Sequence, residues 1–81
     1  MIKATFARLR EIRESLGMEA FDVCRLMDRQ GMPSLSTIYR LEKGIAIDEV
    51  VARTLFHVVN RVHKEKMNST LDITKEIKVV S

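Results

Sequence analysis

One cysteine, one proline, no tryptophan and no long apolar run: these absences narrow the chain before any motif is read. Cys24 stands alone, so an internal disulfide is excluded, and a small buried thiol in a cytoplasmic protein is the expected state. The longest apolar runs are a few residues, far short of the roughly 20 that span a bilayer, and no membrane association is expected. Met1-Ile2-Lys3 leads into a charged segment rather than an apolar stretch, which argues against a secretory leader. Internal repeats and low-complexity segments are missing as well. There is no glycine-rich phosphate loop, no nucleophile elbow and no convincing pair of carboxylates. His57 and His63 do not share a helix face, and neither makes a metal-ligand spacing with Cys24. The chain is therefore not expected to be an enzyme, and neither metal nor cofactor is expected. It also lacks the aromatic platform and Gly-X-X-Gly loop of common RNA-binding modules.

What remains is a single small domain of 81 residues and 9.3 kDa, 46% hydrophobic, which is enough to fold but leaves a modest core. Domains of this size often gain stability by pairing. The net charge of +3 permits an anionic partner. No segment is a polybasic tail, so the fold itself must gather Arg and Lys on one face if the partner is a nucleic acid.

Four helices are expected. Phe6, Leu9, Ile12 and Leu16 recur at helical spacing, with Thr5 as N-cap and Gly17 as the stop. Ala20, Val23, Cys24 and Met27 mark a second helix ending near Gln30-Gly31, and Met32-Pro33 breaks it. Ser34 then stands where an N-cap belongs. In the third helix Ile38 and Leu41 face inward and Gly44 takes the C′ position. Asp48 caps the longest helix, in which Val51, Leu55, Val58 and Val62 make a stripe that Ala52, Phe56 and Val59 widen. A helix apolar over so much of its circumference is central, or faces a second subunit, or both.

The tail changes period. Leu71, Ile73, Ile77 and Val79 stand at strand spacing after the turn-like Asn68-Ser69-Thr70. A lone strand is unstable, which leaves three options: pairing with residues 1–5, pairing with the same strand of another copy, or a loose tail. The expected organisation is a domain over residues 1–66 and a tail over 67–81.

Leu35, Ser36, Tyr39, Arg40 and Lys43 fall mostly on the outward side of the third helix. Hydroxyl donors, one aromatic ring and two cations on so short a helix call for a functional explanation. Helix, glycine, helix, turn and helix, with Thr37-Ile38-Tyr39-Arg40-Leu41-Glu42-Lys43-Gly44 in the third, resembles the Cro/repressor-type (XRE-like) helix-turn-helix family. Leu9-Arg10, Gly17-Met18 and the small Cys24 support the match, which covers roughly residues 6–60. Three departures stand out. The path from Asp28 to Pro33 is longer, Glu19-Ala20 replaces the usual Ser-Gln, and Leu35 stands where a polar reader is common.

The expected fold is all-α: the resemblance implies a compact four-helix domain with a helix-turn-helix, to which the spacing of the tail adds the option of a short C-terminal β-strand used in pairing. The resemblance also implies a structural ion pair between Arg10 and Glu42, and a cytoplasmic transcriptional regulator. Such a regulator would be a repressor that binds a palindromic operator in double-stranded DNA as a homodimer. Ser34, Leu35, Ser36, Thr37, Tyr39, Arg40 and Lys43 would then meet DNA. Arg40 suits a bidentate contact with guanine, Leu35 a thymine methyl, and Tyr39 and Lys43 the phosphates. Val51, Leu55, Val58, Val62, Ile73, Ile77 and Val79 are the candidates for the dimer surface. The competing expectation is a protein-binding adaptor or antirepressor that keeps the scaffold and uses Leu35 and Tyr39 as an anchor for a protein partner.

Overall fold

Lys3–Phe6 alternate exposed, buried, half-buried and buried, the period-two signature of a strand, and they form β1. The computed structural model describes residues 1–27 and 33–80. The chain turns through Arg8, held in the left-handed conformation (φ 60°), into α1 (Leu9–Ser15), which Gly17 (φ 71°) ends. In α2 (Ala20–Leu26) the Glu19 N–H donates to Asp22 Oδ2 at 2.8 Å, one half of a capping box. The expected helix end near Gln30-Gly31 and most of the lengthened path from Asp28 to Pro33 lie outside the described residues. Then follow α3 (Leu35–Glu42), β2 (Ile47–Asp48), α4 (Glu49–Met67), α5 (Ile73–Glu76) and β3 (Ile77–Val80).

The fold is thus mixed α/β, not the all-α four-helix domain expected: a three-stranded antiparallel sheet, order β2-β1-β3, accompanies five helices among the described residues. Two features hid it. Phe6 lies three residues before Leu9, so it extends the helical stripe by coincidence while belonging to β1. Thr5, expected as a helix cap, is likewise a strand residue; Arg8 occupies the N-cap position of α1.

Of the three options for the tail, the chain takes the first. Lys3 to Phe6 pair with Val80 to Ile77 in antiparallel register, and the strand is shorter than expected because Asp72 caps a single helical turn before it. The Thr74 hydroxyl and backbone N–H both donate to Asp72 and hold its carboxyl below the usual range. The tail is tied down by side chains too. Glu76, 1% exposed, accepts the Arg8 guanidinium, and its carbonyl accepts Ala7 N–H at 2.7 Å. Asn60 on α4 accepts Leu71 N–H at 2.7 Å.

The core lies between the sheet and the helices. Ala4, Phe6 and Ile77 from the sheet meet Leu9, Ile12, Val23, Ile38, Leu41, Leu55, Phe56 and Val59 from the helices. The Phe6 and Phe56 rings stand 5.8 Å apart in a tilted pair. Leu55 and Ile77 are therefore part of this core and offer no dimer surface, whereas Val51, Val58, Val62 and Ile73 are partly buried against it. Among the described residues no helix is long and apolar enough to cross a membrane.

Candidate nucleic-acid interface

The start of α3 is built from hydroxyls. Ser34 Oγ accepts Thr37 N–H at 3.3 Å, and lies 2.8 Å from Ser36 Oγ and 3.1 Å from Thr37 Oγ1. Ser34 is thus the N-cap that its type and position predicted. Replacing it with alanine should lower stability by about 1 kcal/mol in a denaturant titration. An unchanged midpoint would show that water replaces the hydroxyl without cost.

Ile38 and Leu41 are 0% and 1% exposed and fix the roll of α3 about its axis. Its other side is open: Leu35, Ser36, Tyr39, Arg40 and Lys43 are exposed, with Thr37 half-buried. Gly44 (φ 86°) then ends the helix, and Ile45 N–H returns to Arg40 O at 2.9 Å.

The ion pair that holds α3 to α1 uses Arg13, not Arg10. Arg13 Nε donates to Glu42 Oε2 at 2.5 Å, Nη2 to Oε1 at 3.1 Å, and Nη1 to Met18 O at 3.2 Å. The bond to Glu42 holds the Arg13 guanidinium above its ordinary pKa, so its charge is permanent. Arg10 points outward and pairs with Glu14 on its own helix at 3.4 Å. Helical spacing could have found this: Arg13 lies four residues after Leu9, three before Leu16 and beside Ile12, on the buried stripe.

The two flanks of α3 differ in charge. One flank carries Tyr39 and Lys43 beside a hollow shared with Arg10, Arg13, Glu14, Glu19 and Glu42, where most cations already face carboxylates. The other carries Thr37 and Arg40 beside a hollow of about 300 Å³ that Lys3, Asp48 and Val51 also line. Lys3 comes from β1, and nothing in the helical pattern pointed to it. At the front, Leu35 joins Phe21 and Leu26 around a cleft over Cys24. Burial pushes the Cys24 thiol pKa up.

Compared with protein-family models, curated proteins and solved structures, the chain matches none. Its function must therefore be argued from α3 and its surroundings.

Proposed function

We propose that this chain is a sequence-specific DNA-binding transcriptional regulator, a repressor of the Cro/repressor-type kind that occupies a palindromic operator as a homodimer through α3. One observation carries the reading. α3 is locked to the core along one stripe, while Arg40 and Lys43 on the other side have no ion-pair partner among the described residues. Seven of the carboxylates are matched locally. Glu14, Glu42, Glu49 and Glu76 face arginines, and Asp22, Asp48 and Asp72 cap helices. Cations on α3 are thereby left for an anionic partner, and the major groove of B-DNA admits one helix of this size.

A single two-turn helix reads too few base pairs to find one site in a genome, and two copies supply the missing discrimination. The free edge of β3 supports pairing. The Ala7 N–H bond to Glu76 makes Thr5–Lys78 and Lys3–Val80 the hydrogen-bonded pairs of the ladder. The N–H and C=O groups of Val79 therefore point away from β1, to a side with no strand among the described residues, whereas the Ile77 N–H is taken by Ile73 O of α5. Val79, 51% exposed, sits at that edge.

Selection from random duplex DNA, followed by sequencing, tests the reading. Wild type should enrich a palindrome, and Arg40→Ala should relax one position in each half-site by about 1–3 kcal/mol. Failure to enrich any sequence, with folded protein at low salt, would remove it. The adaptor reading has its own observation in Phe21, 59% exposed beside Leu26 and Leu35. A partner protein docked there would give binding with little salt dependence, unlike DNA.

A further inference from the structure

We propose that Lys3 binds a phosphate of the DNA backbone along the Thr37–Arg40 flank of α3, and so helps to position the recognition helix. The inference rests on the DNA-binding reading above and adds to it a residue from outside the helical segment.

Lys3 is delivered to α3 by the sheet. In β1, Ala4 and Phe6 point into the core, so Lys3 and Thr5 point to the outer face. The Lys3 side chain is exposed and, among the described residues, has no carboxylate within ion-pair distance. It borders the same hollow as Thr37 and Arg40 of α3. Among the described residues the only acid lining it is Asp48, whose Oδ1 accepts the N–H groups of Val50 at 2.8 Å and Val51 at 3.3 Å. That carboxylate is directed at the first turn of α4 and is partly offset by the helix dipole.

On the opposite flank Glu14, Glu19 and Glu42 line the hollow together with Arg10, Arg13 and Lys43, so its charge is balanced rather than positive. A helix lying in the major groove has a phosphate backbone along each flank, and on the Thr37 side Lys3 is the cation placed to meet it. A lysine ammonium acts there as a point charge that positions the protein without reading a base, while Arg40 remains free to reach a base edge.

The test measures affinity against salt for wild type, Lys3→Gln, Lys3→Arg and Lys75→Gln, on the selected operator and on a random duplex. Lys75 sits on α5, beside β3 at the far edge of the sheet from β2, and reports the effect of net charge alone. Lys3→Gln should weaken binding about five- to tenfold on both duplexes and reduce the slope of log affinity against log salt by about one. Lys3→Arg should restore both, and Lys75→Gln should leave both unchanged. If Lys3→Gln binds like wild type, or if Lys75→Gln weakens binding equally, Lys3 holds no phosphate and the DNA reading survives. If wild type binds neither duplex at low salt, both proposals fall.

Discussion

Glu42→Ala should be the most damaging single change away from the hydrophobic core, costing about 3–5 kcal/mol. The side chains of Arg13 and Glu42 are 10% and 7% exposed. Removing the carboxylate leaves a permanent cation in that space, with one carbonyl, Met18 O, as its remaining partner. Such a loss compares with the total stability of many domains, typically about 5–15 kcal/mol. At about 4–8 °C per kcal/mol for a small domain, melting should fall by some 15 °C or more. Thermal denaturation followed by circular dichroism measures it directly. A loss below about 1 kcal/mol would mean that water reaches the guanidinium and that the pair is effectively exposed. Replacing both partners, as in Arg13→Met with Glu42→Leu, should recover much of the stability, because the cost comes from the orphaned charge. The double variant would also show whether the pair orients α3. If it does, the protein will be stable but bind its operator poorly.

If two copies pair through β3 as proposed, Val79→Pro should abolish the dimer and leave the monomer folded. The ladder with β1 uses the groups of Lys78 and Val80, whereas the Val79 N–H points to the free edge. Proline there removes the outward donor and places its ring where a neighbouring strand would lie, and proline is tolerated at strand edges for this reason. In contrast, Lys78→Pro should damage the fold itself by removing an inward donor. If two copies join through β3, Val79→Pro should shift the protein to a monomer in analytical ultracentrifugation. Operator affinity should then drop by about two orders of magnitude or more, as linkage between half-sites is lost. A Val79→Pro protein that remains dimeric would place the interface elsewhere, with the partly buried Val51, Val58 and Val62 on α4 the next surface to vary.

How much of this was legible in the chain depends on the range of the interaction concerned. Ser34, Gly44 and Asp48 act within three or four residues of themselves, and local chemistry located both ends of α3 and the start of α4. Ile38 and Leu41 were legible for the same reason, as a helical period needs only a few residues to show. β1 was not, because four residues give two alternations, and Phe6 also fits the helical stripe. β2 has two residues and no period at all. The strand spacing of the tail was legible from Ile77 onward, whereas Leu71 and Ile73 shared that spacing although Asp72 and Thr74 cap a helical turn there. The Arg8–Glu76 tie had no local sign, since neither residue identifies a partner 68 positions away. The same holds for Lys3, whose place beside Arg40 exists only once the sheet has formed.

The central strand of the sheet is the first element of the chain, and one of its neighbours is the last, with Lys3 opposite Val80. During synthesis β1 leaves the ribosome long before β3 exists. α1, α2 and α3 can meet through short-range contacts meanwhile, but Phe6 has no Ile77 beside it and Arg8 no Glu76. The half-made chain carries an exposed strand with two open edges, the species most prone to pair with the wrong neighbour. If β3 also joins the two copies, one late event closes the sheet and makes the pairing edge. An incomplete chain would then carry α3 without the edge that doubles it, and on the proposed DNA-binding reading it could not compete for an operator.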